Sequence, residues 1–323
     1  MNKLIWGIDI GGTNTVCGLV DDNGNIVTEF SVKTKDFKKP ELLIKYLCSQ
    51  MKDIARKSQK KQKIIGIGIG APNGNYYNGC IEYAPNLKWK GRIHLADMFS
   101  EQFGLPVSLT NDANAAALGE MYFGGAKGLN DFIVITLGTG LGSGFVSNGK
   151  LIYGHDGFAG EMGHICAVEN GRKCNCGLNG CLEEYVSARG IIQTMHEIMN
   201  NSPVNARPHF YGKSFDVIDI QKEAKNGNAA ALKAFEITGK ILGQSLATVV
   251  SLTSPSHIFL FGGIANAGRL ILTPAKKAMN ERLLPVFRNK IKVEQSKLLG
   301  QNAAVLGAAA LLLNDVNSAK QNK

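Results

Sequence analysis

The chain has 323 residues, 44% hydrophobic and 19% charged, which describes a folded globular protein with room for two domains and excludes a disordered one. Its net charge of +10 fits a nucleic-acid partner, an anionic substrate such as a nucleotide, or a solvated basic surface; the lysines are dispersed, as in ARKSQKKQK at 55–63, without aromatic interleaving or a DNA-reading module, so no nucleic-acid partner is expected. Seven cysteines, no signal peptide and a longest apolar run of AAVLGAAALLL argue against a secreted disulfide framework and a membrane span, so a cytoplasmic protein is expected.

LIWGIDIGG reads as a buried strand breaking into a glycine turn. TVCGLVDDNGNIVTEFSVKT follows as two strands joined by Asp-Asn-Gly, a hairpin signal. PELLIKYLCSQMKDIARKS has apolar residues at helical spacing with Pro40 at its start, and KIIGIGIGAP is an Ile-rich strand ended by Pro72. HLADMFSEQFG is a helix, and LPVSLTND is a strand running into the helix ANAAALGEMYFG. The order then begins again: LNDFIVITLGTGLGSGFVSNGKLIYG gives strand, glycine turn, strand, turn, strand. A Cys-rich insertion precedes helices at about 187–200, 217–225 and 229–253. HIFLFGGI is a strand ending in Gly-Gly, AGRLILTPAKKAMNERL a helix, KVEQSKLL an edge strand, and QNAAVLGAAALLLNDV a last helix after a glycine turn. Two similar halves, each with a glycine turn after its first strand, predict a duplicated α/β protein whose default ligand site is the cleft between the halves.

The turn DIGGTNT can point backbone N–H groups at phosphate oxygens, because glycine permits close approach and positive φ. Gly11 and Gly12 would supply the backbone, Thr13 and Asn14 side-chain donors, and Asp9 could orient a hydrated Mg²⁺. A plain glycine hairpin would look the same. TLGTGLGSG, with Thr139 and Gly140, repeats the idea in the second half, and FGGI, with Gly262 and Gly263, is a third turn after a strand. None of these glycine turns carries the G-K-[ST] of a Walker loop, and a strand follows GTGLGSG where a nicotinamide site needs a helix. In TNDANAAALGE a strand ends in Asn111-Asp112 where a helix begins. Asp112 is placed to accept the proton of an attacking hydroxyl in phosphoryl transfer, the alternative being that Asp112 or Asn111 merely caps the helix.

The markers DIGGTN, APNLKW, NDANAAALGE, TLGTGLGSG, AGEMGH, CNCGLNGCLEE, FGGI and LLGQNAAVLGAA together resemble the ROK family of sugar kinases and repressors, across essentially the whole chain. The resemblance implies two duplicated RNase H-like (actin-like ATPase) α/β domains flanking a ligand cleft. They would be residues 1–115, completed by the C-terminal helix at about 301–323, and residues 116–300 with a zinc loop at 164–181. It implies that the three turns bind ATP, that Asp112 is the catalytic base, and that Asn86, Asn111, Glu161, His164 and Glu183 contact sugar hydroxyls. Its repressors carry a DNA-binding region ahead of the sugar domain, for which no room is expected before Asp9. The expected activity is transfer from MgATP to the 6-hydroxyl of a hexose, glucose first and N-acetylmannosamine as the alternative, by a homodimer. Where family kinases commonly have Pro-Gly, this chain has APNGNYYNG.

His164, Cys174, Cys176 and Cys181 offer a Cys₃His set for zinc, although C-x-C-x4-C is tighter than finger spacing and free thiols or a redox pair would share it. Cys166 is a rival ligand by position but is expected to be packed; the family pattern assigns the zinc to the other four. With four protein ligands no position is left for water, so this zinc is expected to be structural, with the second imidazole nitrogen of His164 available to a sugar hydroxyl.

Overall fold

The computed structural model describes residues 3–58, 63–201, 208–298 and 302–321. In chain order it begins with β1 (Lys3–Ile10), β2 (Asn14–Asp21), β3 (Ile26–Lys33), α1 (Pro40–Ser58) and β4 (Lys63–Gly70). The short β5 (Gly74–Asn75), β6 (Cys80–Glu82) and β7 (Arg92–Ile93) come next, then α2 (Leu95–Phe103), β8 (Val107–Thr110) and α3 (Asp112–Phe123). There follow β9 (Phe132–Leu137), β10 (Leu141–Ser147), β11 (Lys150–Leu151), α4 (Glu183–Val186), α5 (Ala188–Asn200), α6 (Val217–Lys225) and α7 (Ala229–Thr253). The chain ends with β12 (His257–Phe261), α8 (Arg269–Arg282), β13 (Lys292–Gln295) and α9 (Ala303–Gln321). The glycine turn expected before α9, at Gly300, and residues 59–62 of the lysine-rich stretch at 55–63 lie outside the described residues.

Two compact units result: Met1–Leu129 with Lys150–Ala159 and Lys297–Lys323, and Asn130–Gly149 with Gly160–Ser296. The first therefore keeps α3 whole, where the sequence reading placed a boundary after residue 115. The reason is packing: a Cβ on Gly307 of α9 would lie 2.4 Å from the carbonyl oxygen of Ala115, so the two helices meet backbone to backbone.

In the first unit the strand order is β3-β2-β1-β4-β8, with β1 antiparallel to β2 and parallel to β4. Alternate residues of a strand face opposite sides of the sheet. Leu4, Trp6, Ile8 and Ile10 of β1 and Ile67 and Ile69 of β4 pack with Leu43, Leu47 and Met51 of α1 and Phe99 of α2. The glycines between them face α9. A Cβ on Gly68 would meet the carbonyl oxygen of Ala308 at 1.8 Å, and one on Gly66 would meet the Leu312 side chain at 2.5 Å. The Ile/Gly alternation of KIIGIGIG is thus a two-faced instruction, isoleucines for one helix layer and bare backbone for the other. Both faces are covered, as parallel strands require.

The second unit repeats the plan with β10-β9-β12-β13: β9 is antiparallel to its hairpin partner β10 and parallel to β12. Its core joins Ile133 and Ile135 of β9 and Ile258 and Leu260 of β12 to Ile191 of α5, Leu242 and Leu246 of α7, and Ile271 of α8. The molecule is a mixed α/β protein in which a glycine turn follows the central strand of each unit's main sheet. The small sheet β5-β6-β7 was not expected, since strands of two or three residues are too short to show a period. Among the described residues no helix is long and apolar enough to cross a membrane.

Candidate active site

In the first unit the predicted residues gather at the carboxyl ends of β1 and β8, where open α/β sheets hold ligands. The Gly11 N–H donates to the Asn14 carbonyl at 2.9 Å, which closes the β1–β2 turn and leaves Thr13 and Asn14 exposed at its tip. Gly12 has a different reason to lack a side chain. A Cβ there would sit 2.3 Å from the carbonyl oxygen of Asn86, so the APNL segment passes directly over the turn. Asn86 itself is exposed.

Asn111 is the N-cap of α3: its side-chain oxygen accepts the Asn114 N–H at 2.7 Å. Capping thus falls to Asn111, and its amide nitrogen remains the group it can offer a ligand. Asp112, the first residue of α3, accepts the Ala113 N–H at 2.9 Å and keeps an open face. Desolvation by the surrounding protein nevertheless raises its pKa above the ordinary carboxylate range, outweighing the backbone hydrogen bonds that lower it. Asp9 lies close enough to feel that charge. Burial first, and then the negative charge of Asp112, push Asp9 up to about 7. Two carboxylates held together at strand ends need a cation or a proton between them, and a hydrated Mg²⁺ fits the pair.

In the second unit the Gly138 N–H donates to the Gly140 carbonyl at 3.0 Å, making the tight β9–β10 turn with Thr139 exposed. Gly262 follows β12 at φ 98°, and a Cβ there would lie 2.4 Å from the Leu137 carbonyl oxygen at the end of β9. Gly263 is exposed, and a side chain added to it or to Gly138 would meet nothing within 4 Å. Such open backbone turns at neighbouring strand ends suit phosphate oxygens.

Glu161 and His164 flank the short turn Met162–His164, with Glu161 exposed and His164 half-buried. Glu183 is tied to the glycine turn: its Oε2 accepts the Leu141 N–H at 2.9 Å and leaves no space for a side chain on Gly140. Arg189 stands 3.8 Å from its other oxygen and forms a closer ion pair with the buried Glu184. The carboxylate expected to reach the sugar is therefore also part of the turn expected to hold the phosphates.

The ligand atoms of His164, Cys174, Cys176 and Cys181 all lie within 4.8 Å of one another. His164 Nδ1 is 3.8 Å from Cys174 Sγ, and Cys176 Sγ is 3.6 Å from Cys181 Sγ. Those are the edges of a tetrahedron about an ion with bonds near ~2.3 Å, so the donor set fits zinc. Cys174, Glu183 and Glu184 form a second close set, but Leu141 and Arg189 already engage the two carboxylates. Cys166 is exposed, against the expectation that it would be packed, and faces Cys181 across an antiparallel bridge.

Three features escaped sequence reading. Arg172 fastens the Cys-rich loop: it donates to the carbonyls of Glu184 and Gly190, to Thr194 and to Glu197, and stacks on Tyr185. Its signal was only an arginine in a glycine-rich loop. The APNGNYYNG segment is a knot of amides. Asn78 donates to Glu82 at 2.6 Å, Asn75 to the Asp156 carbonyl at 2.7 Å, and Tyr77 to the Gly154 carbonyl at 2.7 Å, while Tyr76 stacks on Tyr153. The third is Ser143, whose hydroxyl spans β10 and the turn at Glu161.

The ROK family model matches residues 5–315. The glucokinase of Streptomyces coelicolor is 34% identical over 319 residues, covering 95% of this chain and 97% of that protein. The xylose repressor of Caldicellulosiruptor bescii is 31% identical, covering 97% of this chain and 79% of the repressor. The crystal structure of a ROK family glucokinase from Streptomyces griseus in complex with glucose and AMPPNP superposes with a TM-score of 0.78 at 34% identity, over 95% of this chain and 98% of that one.

Proposed function

The chain belongs to the ROK family, and on that footing we propose that it is an ATP-dependent hexose kinase that phosphorylates glucose at its 6-hydroxyl. The observation that carries the reading is the division of labour at the start of α3. Asn111 caps the helix, so Asp112 is left with an open carboxylate, which desolvation by the surrounding protein makes more basic than an ordinary one, as a proton acceptor needs. In this scheme Asp112 takes the proton of the sugar hydroxyl as that oxygen attacks the γ-phosphorus. The N–H groups of the turns at Gly11–Asn14, Gly138–Gly140 and Gly262–Gly263 offset the charge on the phosphates, and Asp9 would hold a hydrated Mg²⁺, which would neutralise further phosphate charge. Asn86, Asn111, Glu161, His164 and Glu183 fix sugar hydroxyls, each of which donates and accepts at once.

His164, Cys174, Cys176 and Cys181 would hold a structural zinc, which supplies a cross-link within the loop and no chemistry on phosphate. With Nδ1 turned toward the thiols, Nε2 of His164 is the nitrogen that remains for sugar. We assign a cytoplasmic homodimer to the same reading; light scattering measures the second part. The test of function is a coupled assay of ADP release over a panel of hexoses and acetylated amino sugars. Turnover fastest with glucose supports the proposal, turnover fastest with N-acetylmannosamine moves the substrate, and no turnover with sequence-specific operator binding would favour a regulator like the xylose repressors.

A further inference from the structure

Glu161 is the central residue of an inverse γ-turn. Its backbone has φ −75° and ψ 50°, and the Met162 N–H donates to the Gly160 carbonyl at 2.8 Å, two residues back. A turn with a single internal hydrogen bond is weak on its own. Here both of its closing groups also meet the same hydroxyl from another element. Ser143 Oγ donates to the Gly160 carbonyl and accepts the Met162 N–H at 3.3 Å. Ser143 is 2% exposed, in the middle of β10, two residues after the Leu141 N–H that holds Glu183. Gly160 completes the seat: at φ 96° it brings its Cα close to the strand, and a Cβ would lie 2.8 Å from the Ser143 carbonyl oxygen.

From this we infer that Ser143 is a positioning residue for Glu161, aiming its carboxylate at the sugar by locking the γ-turn that carries it. The inference rests on the reading of Glu161 as a sugar contact. Ser143 touches no substrate in this scheme. Its hydroxyl joins the two backbone groups on either side of Glu161, so its loss frees the direction of the carboxylate without removing it. The same strand begins at the Gly138–Gly140 turn, which gives β10 one end at the phosphates and one side chain behind a sugar carboxylate.

A double-mutant cycle on sugar affinity tests it, with Ser143→Ala, Glu161→Ala and the pair measured by calorimetry with the hexose that the wild-type protein phosphorylates. Ser143→Ala is expected to weaken sugar binding about tenfold while MgATP affinity stays within about twofold. On the Glu161→Ala background the same change is expected to cost no further sugar affinity. Additive losses, or equal losses toward sugar and MgATP, would overturn the inference and leave Ser143 a packing residue. If Ser143→Ala does not fold, Ser143→Cys, close in volume and a poorer donor, takes its place in the cycle. Failure of the wild-type protein to phosphorylate glucose would overturn the choice of sugar and not this inference, because the cycle runs with whichever hexose the panel selects.

Discussion

Replacing Asp112 by Asn changes one oxygen for an amide nitrogen in a side chain of nearly the same size. The Ala113 N–H bond at 2.9 Å keeps its acceptor, and the cap of α3 is untouched because Asn111 makes it. Helix stability should therefore hold. Activity should not, since the amide cannot take a proton: a positioned general base contributes about 10²–10⁴-fold, or roughly 3–5 kcal/mol of barrier. The pH dependence of stability gives an independent check. Asp112 has a folded pKa above its unfolded value, so the folded state holds its proton more tightly, and the charged carboxylate destabilises the fold as pH rises through the folded pKa. The Asn variant carries no such penalty. Its melting temperature should equal or exceed that of the wild type in alkaline buffer, with the difference shrinking as the pH falls into the ordinary carboxylate range. Steady-state kinetics with glucose and MgATP, beside thermal melts in alkaline and in acidic buffer, read the two effects separately. Near wild-type turnover would refute the assignment of the base, and a variant much less stable in alkaline buffer would refute the account of the cap and the carboxyl.

The pKa of Asp9, raised to about 7 by burial and by Asp112, predicts that MgATP affinity falls as pH drops below neutral and that calorimetry in two buffers detects proton release on binding; Asp9→Asn should abolish both. Gly12→Ala forces a Cβ to within 2.3 Å of the Asn86 carbonyl oxygen, so the APNL segment must move; KM values for both substrates should rise by about tenfold or more, with circular dichroism unchanged. Chelation should remove about one zinc per chain, seen by atomic absorption, lower the melting temperature, and weaken sugar binding through His164 more than MgATP binding. Asn111→Ala should lose about 1 kcal/mol of stability with its cap, besides any loss of sugar affinity, as denaturant melts would report.

Much of the fold was legible because the signals were local. Alternation of Ile and Gly in KIIGIGIG, Asp-Asn-Gly in the hairpin and the helical spacing of PELLIKYLCSQMKDIARKS each act within a few residues, and the strand and helix order they imply is the one observed. The glycine turns were legible for the same reason, since an exposed backbone after a strand is a property of the turn's own residues. The small sheet of β5, β6 and β7 was not, because its strands are shorter than one period of the pattern that would reveal them.

The order of the longer strands and helices, and the chemical types available to the proposed site, were determined by sequence alone, Asp112, Asp9, Glu161 and the Cys₃His set included. Roles within the site were decided only by tertiary structure. Asn111 and Asp112 are adjacent polar residues at one helix start, and either could cap it until the backbone angles of Asn111 turned its oxygen to the Asn114 N–H. Glu183 and Leu141 lie 42 residues apart, yet one carboxylate oxygen binds the glycine turn. Ser143 is an ordinary strand serine until a γ-turn from another segment lies against its hydroxyl. Local conformation follows from steric limits on neighbouring atoms, which sequence spacing records. A hydrogen bond between distant residues depends on where packing leaves their backbones, and no spacing records that.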